Sequence, residues 1–246
     1  MKYHGNRNGF QFSYIFWIST GILILFPMIY NWQSQLSRNV FGTLLQRRYS
    51  STLSAYGSTS CFSGNRPYME DRCISSTDFS FSAVFDGHSS SRISSLLEWR
   101  FQEKFMVEIC DMKGQSSEKI AAKMADSLVF CDQQLSSIGM GLQEGSAATL
   151  LYINKLENNA EFITANIGDC RVVLGKFGKA VDLTIDHHPN NKDERLRIER
   201  MGGRVTWDGR IDSDGKPIKS SGCYRINDCL NMSRAIGELI SSLVLG

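Results

Sequence analysis

A carboxylate, a glycine and an imidazole directly follow a short apolar run, at Asp86, Gly87 and His88. The run, FSFSAVF at residues 79–85, predicts a buried strand, and Asp-Gly is a common turn dipeptide. A carboxylate where a buried strand ends is either a turn former or a ligand for a hard cation such as Mg²⁺ or Mn²⁺. The residues alone leave both interpretations open.

A second group of charged side chains lies upstream, in the stretch GNRPYMEDR at residues 64–72. Arg66 can hold a phosphate through its planar guanidinium, and Glu70 and Asp71 are adjacent carboxylates. Adjacent residues of an extended strand point to opposite faces, so a turn must bring both carboxylates to one site if both act there. The alternative is a solvated charge run with Arg66 exposed on a loop.

Further motifs follow these two stretches along the chain. They are GSAATLLY from residue 145, ANIGDCRVVL from 165, LTIDHHP from 183, ERLRIERMGGRV from 194 and NMSRAIGE from 231. In this order the motifs resemble the catalytic domain of the metal-dependent protein phosphatases (PPM), the type-2C serine/threonine phosphatases. The resemblance implies an α+β fold, a β-sandwich flanked by helices on both faces, in a phosphatase domain at residues 56–246.

The resemblance also implies a metal centre with two ions, Mg²⁺ or Mn²⁺. In this family pattern Asp86 bridges the two ions, and the backbone carbonyl of Gly87 completes one coordination sphere. Glu70 and Asp71 then orient metal-bound water. Zinc is disfavoured, because no cluster of Cys and His has the spacing of zinc ligands.

Two further residues receive catalytic roles from the same resemblance. Arg66 holds the phosphoryl group, and His88 protonates the departing serine or threonine oxygen. The implied reaction is the hydrolysis of phosphoserine and phosphothreonine in protein substrates. A metal-bridging hydroxide is the attacking group, and no covalent phosphoenzyme forms.

Family members continue beyond the last motif through further strands, which we expect to be missing here. Two aspartates in that part, in an Ala-x-Asp-Gly and an Asp-Asn motif, bind the same ion as the bridging aspartate, and neither motif occurs in this sequence. Asp86 alone is a weak ligand set for a hard divalent ion. Two hypotheses therefore stand: a truncated piece of an active phosphatase, or an inactive phosphatase-like protein that acts as a binding or regulatory module.

Hydrophobic spacing predicts the elements that must position these residues. Strands are predicted at residues 61–64, 71–76, 79–85, 148–153, 161–167, 171–174, 180–185 and 204–207. Helices are predicted at residues 92–110, 118–136 and 193–201. Asp169 is expected to be structural and near the site. Asp186, Glu194 and Arg197 are expected to hold a turn and a helix through side-chain pairs.

The first 55 residues differ in composition from the rest, because no Asp or Glu occurs before Glu70. Residues 12–30 carry no charge and are long enough to cross a bilayer as one helix, with aromatic residues near both ends. We therefore expect a single-pass membrane anchor, with the domain facing the cytosol or matrix. The alternative is mitochondrial targeting, because Arg-Arg-Tyr-Ser at residues 47–50 resembles a matrix-processing site.

Overall composition limits the classes of protein to which the chain can belong. With 246 residues, a net charge of +2 and 42% hydrophobic residues, the chain suits one large domain plus an extension. It has no basic surplus of the kind that binds nucleic acid. The seven cysteines show no CxxC spacing, which favours reduced thiols over a disulfide scaffold.

Overall fold

The computed structural model describes residues 13–19, 22–28, 57–155 and 160–238. The strands are β1 (Ser13–Ser19), β2 (Ile22–Met28), β3 (Asp71–Ser75), β4 (Phe81–His88), β5 (Gly145–Lys155), β6 (Ala160–Ile167), β7 (Arg171–Lys176), β8 (Lys179–Asp182), β9 (Val205–Trp207), β10 (Tyr224–Ile226) and β11 (Ile236–Gly237). The helices are α1 (Arg92–Arg100), α2 (Met106–Cys110), α3 (Ser117–Ser137) and α4 (Lys192–Arg200). A π-helical turn, Phe101–Phe105, joins α1 to α2, and a 3₁₀ turn occupies Lys219–Ser221.

The largest sheet is antiparallel and is built around β5, which is buried along nearly its whole length. β4 pairs with β5, and β3 pairs with β4 on its far side. β6 also pairs with β5, and the two-residue β11 pairs with the first residues of β5. A second sheet has the strand order β1-β2-β7-β8, and β9 pairs with β10. The α+β architecture predicted from the sequence is confirmed.

Both faces of β4 are buried, which explains why its sequence is apolar without strict alternation. Phe81 and Phe85 face the core formed with α1 and α3, whereas Val84 packs in a second core with Val172 of β7. Side chains alternate between the faces of a strand, so Asp86 lies on the same face as Val84. The end of β4 therefore presents a carboxylate beside the second core.

The helical layer differs in one detail from the helix predicted at residues 92–110. The π-helical turn interrupts that segment, and its Phe101 ring lies 6.2 Å from the Phe81 ring and 5.3 Å from the Phe85 ring, measured between centroids. Hydrophobic spacing does not distinguish a π turn from an α-helix. The α3 helix covers the predicted segment at residues 118–136.

The transmembrane helix expected at residues 12–30 is not supported. The structure has β1 and β2 in this segment instead, paired antiparallel with Ser13 opposite Met28, and β2 pairs parallel with β7. Isoleucine and aromatic residues are frequent in both strands, and these residue types favour strands. Among the described residues, no helix combines the length and the apolar character needed to cross a bilayer.

A second prediction is also wrong, because residues 61–64 form no strand. This segment lies in the loop before β3 and has too few apolar residues to cover a buried sheet edge. Its phenylalanine, Phe62, is 80% exposed.

Side-chain pairs hold the α4 region, as the sequence predicted. The Glu194 carboxylate is 6% exposed and accepts hydrogen bonds from Arg197 at 2.9 Å, Ser233 at 2.7 Å and Arg234 at 2.6 Å. Burial opposes the charge of Glu194, but these donors prevail and lower its pKa to about 2. Arg171 similarly donates to Asp186. Glu194 therefore fastens α4 to the segment that precedes β11.

Replacing Glu194→Gln should lower the free energy of unfolding at neutral pH by about 3 kcal/mol, because two arginines lose a buried anion. The pKa of Glu194 is lower in the folded state than its ordinary value of 4.5, so this stabilisation is present above pH 4.5 and is lost as the pH falls towards about 2. Urea unfolding at several pH values measures the difference between the two proteins.

The matched control is Glu199→Gln, because Glu199 pairs with Arg195 at 2.8 Å on an exposed face of the same helix. That change should alter stability by less than about 1 kcal/mol. A difference between wild type and Glu194→Gln that stays constant across the acidic range would contradict the assignment.

Candidate functional site

The register of β3 against β4 places Asp71 directly opposite Asp86. Directly opposed residues of an antiparallel pair lie on the same face of the sheet, about 5 Å apart. The Asp71 and Asp86 side chains are within hydrogen-bonding reach of each other. The two carboxylates therefore share one end of the sheet, although they are fifteen residues apart and neither stretch alone shows that they pair.

A third carboxylate, Asp169, lies in the turn between β6 and β7, and its charge acts on Asp86. Burial raises the pKa of Asp86 to about 7, with further contributions from the charge and hydrogen bond of Asp71 and from the charge of Asp169. The Oδ1 atom of Asp169 is buried without a hydrogen-bond partner. This arrangement concentrates negative charge and unused acceptor capacity at the end of β4.

Gly87 allows the loop before β3 to approach this end of the sheet. A Cβ atom at Gly87 would lie 2.6 Å from the carbonyl oxygen of Glu70 and 2.7 Å from the Ser94 hydroxyl. The Ser94 hydroxyl also donates a hydrogen bond to the Glu70 carbonyl. Glu70 therefore lies beside β4 rather than in solvent, and its side chain is 12% exposed. A residue larger than glycine would displace it.

His88, the last residue of β4, is held by two contacts. Its Nε2 lies 2.9 Å from Oε1 of Glu238, a residue 150 positions further along the chain. Its ring lies over Gly145, where a Cβ atom would be 2.8 Å from Nε2. The Nδ1 atom of His88 is buried and has no hydrogen-bond partner. Nδ1 is thus the ring nitrogen whose hydrogen-bonding capacity the described residues leave unused.

Arg66 is the most exposed of the predicted site residues, with 65% of its side chain accessible. Its Nη1 lies 3.9 Å from Oε2 of Glu70, which is a weak, solvent-screened pairing. The guanidinium is therefore only loosely paired with Glu70 and retains donors for an incoming anion.

Sequence reasoning missed Glu238 as a partner of His88. The available signal was its place at the end of the NMSRAIGE motif, to which no role was given. Glu238 is 5% exposed, and its backbone has φ of +56°, a left-handed conformation that is uncommon for a residue with a side chain. Its N–H donates to the Glu144 carbonyl at 3.1 Å. A buried acid in this conformation points to a specific requirement at that position.

The residues fit a hard divalent cation, although they do not enclose one. In the part of the chain that the structure describes, no three His, Cys, Asp or Glu side chains are grouped closely enough to hold a metal ion. Mg²⁺, however, is usually bound by one or two carboxylates and keeps several waters. The Asp71–Asp86 pair, with the unpartnered oxygen of Asp169 nearby, provides oxygen donors of that kind.

Comparison with known proteins identifies the family of the chain. The protein phosphatase 2C family profile matches residues 56–241. A probable protein phosphatase 2C 7 of Oryza sativa subsp. japonica is 33% identical over 189 residues, covering 73% of this chain and 44% of that protein. A mitochondrial protein phosphatase 1K of Xenopus laevis is 32% identical over 183 residues, covering 72% of this chain and 44% of that protein.

A solved structure agrees at the level of the fold. The serine-threonine phosphatase 2C from Toxoplasma gondii superposes with a TM-score of 0.54 and 16% identity, covering 83% of this chain and 73% of that one. The chain spans less than half the length of the two curated relatives described above. Because the family profile matches most of the chain, and the carboxylate pair lies within the matched residues, the chain belongs to the protein phosphatase 2C family.

Proposed function

We propose that this chain carries the active site of a protein phosphatase that hydrolyses phosphoserine and phosphothreonine with Mg²⁺ or Mn²⁺. The observation that supports this most is the opposition of Asp71 and Asp86 at the end of a buried strand. A carboxylate such as Asp86, whose pKa is raised by burial and by a neighbouring carboxylate, is costly to ionise without a cation. The family membership supports the same reaction class.

The proposed ligands are Asp86 and the carbonyl of Gly87, with Glu70 and Asp71 orienting water around the ions. When bound, the cations supply an activated water and neutralise charge on the phosphoryl oxygens. Asp86 is well suited to the ligand role, because the backbone of β4 is fixed on both sides by β3 and β5. The close approach of the Glu70 backbone carbonyl to Gly87 would keep the Glu70 and Asp71 carboxylates near the proposed ligands.

The two remaining residues would act on the substrate. Arg66 binds the phosphoryl oxygens from its exposed position through a planar pair of N–H donors. His88 donates a proton to the departing serine or threonine oxygen from Nδ1, the ring atom that has no partner in the described structure. Glu238 holds the other ring nitrogen and so sets the orientation of the ring.

Phosphate release from a phosphothreonine peptide tests the proposed reaction. In the natural full-length polypeptide that carries these residues, Mn²⁺-dependent turnover should fall at least about 100-fold in Asp86→Asn, because the change removes the shared metal ligand. Asp214→Asn, which alters an exposed carboxylate remote in sequence from the site, is the matched control and should leave turnover unchanged. No Mn²⁺-dependent turnover, or equal turnover in Asp86→Asn, would rule out the proposal.

The tautomer of His88 tests the proposed proton donor. When the ring is neutral, we expect its proton on Nε2, facing Glu238 at 2.9 Å, so Nδ1 has a proton to donate only when the ring is doubly protonated. Long-range ¹⁵N–¹H NMR distinguishes the tautomers, and His88→Gln identifies the signal. Glu238→Gln should weaken the preference. A neutral ring protonated on Nδ1 would contradict this geometry.

We also propose that the residues before position 56, where the match to the family profile begins, direct the protein to mitochondria. The support is the acid-free, arginine-containing composition of that region and the mitochondrial name of the Xenopus relative. Positive charges favour import towards a negatively charged matrix. Acid-poor and arginine-rich segments are typical of transit peptides.

A fluorescent protein fused after residue 55 should accumulate in mitochondria. Changing Arg38, Arg47 and Arg48 together to glutamate should abolish this, because the segment would lose its net positive charge. Fluorescence microscopy with a matrix marker provides the measurement, and the same three positions changed to lysine provide the control. A fusion that stays in the cytosol or labels another membrane would refute the targeting proposal.

A further inference from the structure

Two cysteines outside the proposed catalytic set have their sulfur atoms in direct contact. The Sγ atoms of Cys61 and Cys73 are 2.8 Å apart. Cys61 is exposed in the loop before β3, and Cys73 is partly buried within β3, opposite Val84. A disulfide has an S–S distance of about 2.05 Å, so less than ~1 Å of movement separates the thiols from a bond.

The two thiols differ in reactivity. A hydrogen bond from Cys73 lowers the pKa of Cys61 against the opposing effect of burial. The thiolate is the reactive form of cysteine. Cys61 is therefore the better placed of the two to attack first, because it is exposed and its pKa is lowered, and Cys73 lies in contact with it, as a resolving thiol must.

We infer that Cys61 and Cys73 form a reversible disulfide under oxidising conditions. With glutathione disulfide as the oxidant, the Cys61 thiolate attacks one sulfur and releases one glutathione thiolate, which takes up a proton. Cys73 then loses its proton and attacks the Cys61 sulfur, releasing the second glutathione. The two protein thiols are oxidised, and glutathione disulfide is reduced to two thiols.

The bond would close a loop that carries Arg66 and Glu70. Cys61 precedes both residues, and Cys73 follows Asp71 in the same strand. A disulfide across this loop restricts its conformations. The effect on catalysis rests on the proposed function, whereas the bond itself does not.

The other described cysteines are less suited to this reaction. Burial raises the pKa of Cys131 to about 12 and also raises those of Cys110, Cys170 and Cys223. Cys229 is exposed but has no cysteine partner within hydrogen-bonding distance among the described residues, and it serves as the reference for a surface thiol. Oxidation that is selective for one pair is therefore expected.

Peptide mapping of the full chain tests the inference. Trypsin cuts after Arg72, so Cys61 and Cys73 leave in separate peptides unless a disulfide joins them. After treatment with glutathione disulfide, we expect the joined peptide as the main disulfide product, and dithiothreitol should separate it. In Cys73→Ser, we expect Cys61 to be trapped as the glutathione mixed disulfide.

Cys229→Ser is the matched control and should leave the joined peptide unchanged. The inference is overturned if Cys229 becomes glutathionylated while Cys61 and Cys73 remain unjoined, or if Cys61 joins a different cysteine. Because the readout is a covalent bond, failure of the proposed phosphatase activity would leave this result unaffected.

Discussion

The structure depends on the placement of like charges at the end of a buried strand. Asp86 lies opposite Asp71 and near the charge of Asp169. Burial and these two carboxylates raise its pKa to about 7. Such an arrangement disfavours the ionised form and costs stability in a chain without a bound cation. The same arrangement would become favourable with a divalent cation held by Asp86, because the positive charge would offset the clustered carboxylates. The stability of the metal-free chain and the proposed metal binding would therefore be opposed at this one position.

The surrounding structure makes that placement possible through small residues and buried pairs. Gly87 leaves room for the Glu70 carbonyl, and Gly145 leaves room for the His88 ring. Glu238 reaches His88 from the end of the described chain. Each of these contacts joins segments that are distant in sequence, so the geometry of the site depends on the whole sheet being formed.

The sequence predicted those parts of the fold that local pattern determines. The apolar run of β4 and the helical spacing of α3 and α4 were apparent, and the candidate residues Asp86, Gly87 and His88 followed from the first of these. The register that pairs Asp71 with Asp86 was not apparent, because β3 has only one fully buried residue and a strand of that kind specifies its register weakly. The pairing of His88 with Glu238 spans 150 residues and has no local signature. Residues 12–30 were read as a membrane helix because hydrophobicity alone does not distinguish a helix from two apolar strands.

The response of thermal stability to Mn²⁺ tests the central claim most directly. At a Mn²⁺ concentration about 100 times its dissociation constant, the melting temperature of the chain should rise by roughly 5–10 °C, and a chelator should reverse the rise. Asp86→Asn should abolish this response while melting no lower than wild type in the absence of metal, because it removes one of the opposed charges. An equal Mn²⁺ response in both proteins, or a metal-free variant that melts well below wild type, would contradict the account.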